Sequence, residues 1–248
     1  MIVLKTRDEI EIMRRAGRVV ARALDAAGDA ICPGMTTLEL DRLIEDVIRA
    51  QGAVPAFKNY RGFPGSACIS INEEVVHGIP GDRVIGEGDI VSIDVGSIVN
   101  DFYGDSARTF PVGAVSKEKA RLIDSTQNCL ALAIDKVRIG FKLGAVSAAV
   151  QQYAESRGYG VVRQLVGHGI GRQMHEDPQV PNFGSPEDGP ELESGMVLAI
   201  EPMINAGTHD VKTMTDGWTV VTADGQASAH FEHTVAVTDN GPDILTLS

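Results

Sequence analysis

Apolar residues recur at helical spacing near the start of the chain, at Ile10, Met13, Val20, Leu24 and Ala27. Thr6 and Glu9 precede them three residues apart, the pattern of a capping box, so residues from about 7 to 30 read as one amphipathic helix. Cys32-Pro33-Gly34 breaks it. Thr36 and Glu39 then form a second capping box, Leu40, Leu43, Ile44 and Val47 share one face, and Gly52 is placed as a stop. From Ser66 the period changes from helical to alternating, with β-branched runs in SACISI, EVVHGIP, DIVSIDVGSIV and DFYGDSARTF, which predict strands and their turns.

The second half follows the same plan. A helix is predicted from about Lys117 to Arg138, a break at Ile139-Gly140, a helix from Gly144 to Arg157 stopped by Gly158, and then strands. The spacing is kept: Gly34 and Gly140 lie 106 positions apart, Gly88 and Gly195 lie 107 apart, and GDIVSID, ending at Asp94, matches GMVLAIE, ending at Glu201, also 107 apart. Each half therefore offers a carboxylate at the same point of the same strand. Two helix-helix-strands units, roughly 6–112 and 116–240, imply a duplicated α+β unit folded as one domain over 1–248, with a site between the halves.

Composition narrows what that site can serve. With 43% hydrophobic and 23% charged residues the chain can bury a substantial core. A net charge of -12 argues against DNA or RNA as the main partner. No apolar run approaches a membrane span or the core of a signal peptide, since Lys5, Arg7, Asp8, Glu9 and Glu11 interrupt the N-terminus. Cys32, Cys68 and Cys129 are odd in number and widely spaced, which suits reduced thiols and a cytoplasmic location.

DIVSIDVGSIVNDFYGDSARTF reads as a hairpin turning at Val99-Asn100, which sets Asp94 opposite Asp105. Opposed like charges about 5 Å apart destabilise a sheet unless a cation lies between them, although solvation or Arg108 is the plainer remedy for this pair alone. The wider set favours metal. His168 lies between glycines in VGHGIG, Glu201 follows the apolar MVLAI, and Glu232 lies in HFEHTVAV, where an unpaired carboxylate would be costly. Four carboxylates balance the four charges of two divalent ions, and oxygen-rich ligands with one imidazole suit manganese, iron, cobalt or zinc. Such a pair hydrolyses amide or ester bonds, with Glu201 placed to act as the base.

YRGFPGSACISINEEVVHGIP, GDIVSIDVGSIVNDFYGDSARTF, GHGIGRQMHEDP, LAIEPMI and FEHT, in this order and over essentially the whole chain, resemble the type I methionine aminopeptidases in their short bacterial form. The resemblance implies a pseudo-two-fold pita-bread fold and removal of the initiator methionine from nascent polypeptides, by attack of a water held between two metal ions. It implies that Asp94, Asp105, His168, Glu201 and Glu232 are the ligands, that His77 meets the substrate amine, and that His175 stabilises the carbonyl oxygen. It also implies a methionine pocket of Tyr60, Phe63, Cys68, Met174 and Trp218, a sodium or potassium ion near Asn72, Glu74 and Ser228, a monomer, and a transient ribosome contact. Met174 stands where the family commonly has an aromatic, and His230 stands two before Glu232 on the same strand and so on the same side, as a partner of a ligand or a solvated side chain.

Prolidases share the ligand set but carry an additional N-terminal domain, for which 248 residues leave no space. A binding module of the same fold without metal, and a two-carboxylate glycosidase built on Asp94 and Asp105, are the other readings; the first does not need all five ligands, and the second leaves His168, Glu201 and Glu232 unexplained.

Overall fold

In the computed structural model, which describes residues 1–248, both capping boxes close. The Glu9 amide donates to Thr6 Oγ1 at 3.3 Å and the Thr6 amide donates to the Glu9 carboxylate at 3.0 Å, which starts α1, Arg7–Ala30. Thr36 and Glu39 do the same for α2, Thr37–Ala50, and Gly52 beyond its end is left-handed at φ 73°. In the second half α3 spans Lys117–Ile134 and α4 Leu143–Glu155. The third helix is thus shorter than its apolar pattern predicted: Val137 is still buried, but as part of a turn.

Each helix pair covers an antiparallel sheet. Helices α1 and α2 bury Val20, Leu24, Leu40, Ile44 and Ile48 against Ile69, Ile93 and Val95. In that sheet the strand Ile90–Val99 pairs with Phe102–Pro111 on one side and with Ala67–Ile71 and Val54–Pro55 on the other. Helices α3 and α4 bury Leu122, Cys129, Val146 and Val150 with Leu198, Ile200 and Val235. There the strand Val197–Ile200 lies between His233–Thr238 and Gly167–Gly169, with Gly241–Ile244 and Glu176–Val180 at the edges. Asp94 sits on the central strand of the first sheet and Glu201 directly follows the central strand of the second. No helix is long and apolar enough to cross a membrane.

The hairpin turns one residue later than its pattern predicted. Asn100 and Asp101 are both left-handed, at φ 48° and 63°, as a tight two-residue hairpin turn requires. Val99 consequently pairs with Phe102 and Gly96 with Asp105, and Asp94 faces Ala107 rather than Asp105. The two aspartates are diagonal neighbours on one face, because a shift of two residues preserves the face.

The segment that carries His77 is held by backbone crowding. His77 is left-handed at φ 60°, and a Cβ on Gly78 would stand 2.1 Å from the carbonyl oxygen of Ile69. Gly78→Ala is expected to lower stability by about 1–3 kcal/mol through this overpacking. A urea midpoint unchanged from the native protein would show that the strand Ala67–Ile71 yields freely.

Candidate active site

The five ligand candidates come from both sheets. Asp94 and Asp105 hang from the hairpin, His168 from Gly167–Gly169, and Glu201 from the end of Val197–Ile200. Glu232 lies in the short gap between the strands Ser228–His230 and His233–Thr238, not within a strand as its apolar setting implied. This gap is stitched to the hairpin: the Glu232 amide donates to the Ala107 carbonyl at 2.9 Å and Ser106 Oγ donates to the Glu232 carbonyl at 2.6 Å. Next to it the Asp105 amide donates to Thr234 Oγ1, which in turn donates to the Asp105 carbonyl at 2.7 Å. Asp105 and Glu232 are therefore locked to each other through the backbone.

Asp105, His168 and Glu232 each offer an atom within 4.8 Å of the others, and Nε2 of His168 stands 3.7 Å from Oε1 of Glu201 and 4.0 Å from Oδ2 of Asp105. Nδ1 of His168 lies 2.9 Å from the Gly169 carbonyl; donating there leaves Nε2 bare and aimed at the carboxylates. The glycines around His168 admit close backbone neighbours. A Cβ on Gly167 would meet the Ala199 carbonyl oxygen at 2.3 Å and one on Gly169 that of Asp177 at 2.1 Å, so they let neighbouring backbone close in.

Four carboxyl groups crowd together here with only histidines, and no Lys or Arg, paired to them. Burial first, and the neighbouring carboxylates second, push Asp94, Glu201 and Glu232 well above the usual carboxylate range, and burial lifts Asp105 to about 7. Burial also holds His168 neutral by lowering it to about 4. Oδ1 of Asp94, Oδ1 of Asp105 and Oε1 of Glu232 are buried with no hydrogen-bond donor. Orphaned carboxylate oxygens from three side chains, beside a bare imidazole nitrogen, fit divalent cations and fit little else.

All five open into one cavity of about 170 Å³, together with His77, His175, Tyr60, Phe63, Cys68, Met174 and Trp218. Phe63 packs edge-on to Trp218 at 5.2 Å between ring centroids, and His77 stands edge-on to the same indole at 6.3 Å. Phe63, Cys68 and Met174 are buried; the Gly/Pro loop around Phe63 displays Tyr60 and Arg61 rather than Phe63 itself. Tyr60 Oη lies 2.9 Å from Nδ1 of His175 at the rim. Phe57 and Arg61 also line the cavity, and sequence reasoning missed both. Arg61 stands beside Tyr60 in YRGF and has an unusual φ of 50°, a conformation its side chain does not announce. A polar groove of about 630 Å³ shares His168 and His175 with the cavity and runs past Arg172 and Gln173.

His230 is fully buried rather than solvated, with Nε2 3.8 Å from Oε2 of Glu201; burial drives it down to about 3. Asn72 and Ser228 also meet, the Ser228 amide donating to the Asn72 carbonyl at 2.8 Å. Glu74 turns its carboxylate to the Ile71 amide at 2.7 Å, and the Lys119 ammonium donates to Asn72 Oδ1 at 2.7 Å.

A pocket lined by four carboxylates and one imidazole drawn from two sheets defines a metal-dependent hydrolase. The chain matches the model of metallopeptidase family M24 over residues 11–239 and belongs to that family. Within it the similarity is to methionine aminopeptidases. One from Clostridium acetobutylicum is 55% identical over 248 residues, covering 100% of this chain and 99% of the relative. Methionine aminopeptidase 1 of Bacillus subtilis is 52% identical, with 99% of each covered. The crystal structure of methionine aminopeptidase from Thermotoga maritima superposes with a TM-score of 0.99 at 46% identity, covering 100% of both chains. The fold is the α+β pita-bread fold.

Proposed function

We propose that this chain is a metal-dependent aminopeptidase that removes the N-terminal methionine from nascent polypeptides by hydrolysing their first peptide bond. The observation that carries this reading is the single cavity in which the ligand cluster meets a wall of Phe63, Cys68, Met174 and Trp218. About 170 Å³ is well below the roughly 300–1,000 Å³ of pockets that enclose a whole ligand, so it suits one side chain. Sulfur and aromatic edges suit methionine in particular. The remaining polypeptide leaves past His175 along the polar groove.

Asp94, Asp105, His168, Glu201 and Glu232 would hold two divalent ions, with manganese, iron, cobalt and zinc all compatible with these donors. When bound, the ions acidify water and polarise the scissile carbonyl. Glu201 takes a proton from the attacking water and delivers it to the leaving amine as the carbon–nitrogen bond breaks. Tyr60 Oη lies 2.9 Å from Nδ1 of His175; with Tyr60 as the donor, the proton of that neutral ring is on Nε2, ready to donate to the carbonyl oxygen as charge develops. His77 receives the substrate amine; burial and the nearby His175 lower its affinity for a proton, which keeps it an acceptor. A sodium or potassium ion at Asn72, Glu74 and Ser228 would serve the fold rather than the reaction, because these residues lie outside the cavity. The protein is taken to work as a cytoplasmic monomer with transient access to the ribosome.

The reading is tested with metal-stripped protein, a Met-Gly peptide and an Xaa-Pro peptide. Manganese, iron, cobalt or zinc is expected to restore free methionine from the first and to leave the second intact. Xaa-Pro cleavage would establish a prolidase instead, and no cleavage with any metal would leave a peptide-binding module.

A further inference from the structure

His230 is not needed by the chemistry above, yet its side chain is 2% exposed and its Nε2 has no hydrogen-bond partner. A buried nitrogen in that state costs free energy unless something uses it. Its backbone is fixed with unusual economy. The His230 amide donates to Thr109 Oγ1 at 2.9 Å, Thr109 Oγ1 also reaches the His230 carbonyl at 2.9 Å, and Ser92 Oγ lies 2.8 Å from the same hydroxyl. Ser92 and Thr109 are a cross-strand pair of the hairpin that bears Asp94 and Asp105. The imidazole is thus registered to the same element as two of the ligands.

The two oxygens of Glu201 face different imidazoles. Oε1 stands 3.7 Å from Nε2 of His168, and Oε2 stands 3.8 Å from Nε2 of His230. His168 belongs to the cluster whose atoms converge within 4.8 Å, whereas His230 does not. We propose that His230 is a positioning residue: its Nε2–H donates to Oε2 of Glu201 and so keeps Oε1 turned toward the metal centre. At 3.8 Å the pair is beyond hydrogen-bond range, so the proposal requires the Glu201 carboxylate to turn toward His230 when an ion is bound. A carboxylate held by one oxygen presents the other in a single orientation, which raises affinity for the ion without adding a ligand.

This inference rests on the metal-centre reading, so the test separates the two. Metal-free native protein, Asp105→Asn, His230→Leu and His230→Gln are each titrated with Co²⁺, following heat of binding and visible absorption, and their metal-free melting curves are recorded. Leucine fills the space without a donor, and His230→Leu is expected to bind Co²⁺ about 10- to 100-fold more weakly with an unchanged number of ions. Glutamine can donate to the same oxygen, and His230→Gln is expected to stay within about three-fold of the native affinity. Equal affinity in His230→Leu, or a loss in His230→Gln as large as in His230→Leu while both melt cooperatively, would overturn the proposal and leave the centre intact. Native protein that binds Co²⁺ no better than Asp105→Asn would overturn the centre and this inference together.

Discussion

Glu201→Gln is expected to lower methionine release by about 10²–10⁴-fold, the range that a positioned general base supplies. The amide keeps the shape of the carboxylate but can neither take the proton of the attacking water nor pass one on. It also removes one of four negative charges that burial already disfavours. The variant should therefore melt at the same temperature as the native protein or higher when metal-free, and gain less on adding metal. Steady-state release from a Met-Gly peptide, with melting curves taken with and without Mn²⁺, checks all three expectations. Substantial turnover would take Glu201 out of proton transfer. A large drop in metal-free stability would instead make it a structural residue, in conflict with its lack of a paired cation.

Much of this site was legible because its strands obey alternation. Asp94 and Asp105 were placed on one face from the pattern alone, and the face is right although the register is not. An error of two residues returns every side chain to the same side, so alternation cannot detect it; only the conformations of Asn100 and Asp101 settle the turn. The helices are legible from caps and periodicity, and α1 ends where Cys32-Pro33-Gly34 requires, whereas α3 stops at Ile134 although the apolar pattern runs on to the buried, non-helical Val137. What could not be read was the long-range packing. Gly167 answers to Ala199 and His230 answers to Glu201, partners distant in sequence, and Gly169 answers to Asp177 across a bulged strand pair. Phe57 and Arg61 enter the cavity through a loop with no period at all.

The second large effect is expected in the pH dependence of stability, and its sign differs with and without metal. In the metal-free protein the four carboxylates are raised, Asp105 to about 7, so the folded chain holds protons that the unfolded chain has already released. Their contribution to stability falls as pH rises from the ordinary carboxylate range through 7. His168 and His233, lowered to about 4, and His230, lowered to about 3, act oppositely below their unfolded value of about 6.5, because there the unfolded chain binds the protons. The two sets offset each other in acid. By about pH 7.5, a unit above that unfolded value, the histidines are largely neutral in both states and the carboxylates set the slope, so the metal-free melting temperature should fall between pH 7.5 and 8. Bound divalent ions hold those carboxylates ionised and displace their protons, so the metal-loaded protein should lose this slope. Metal at about 100 times its Kd adds roughly 2.7 kcal/mol, or roughly 5–10 °C for a chain of this size, and the gap should widen as pH rises. Calorimetric melting at pH 6.5, 7.0, 7.5 and 8.0, with chelator or with Mn²⁺, measures that gap, and proton release on adding Mn²⁺ at pH 6.5 measures its cause. A gap constant with pH, with no protons released, would mean that Asp94, Asp105, Glu201 and Glu232 are already ionised without metal, and would place the compensating charge elsewhere in the protein.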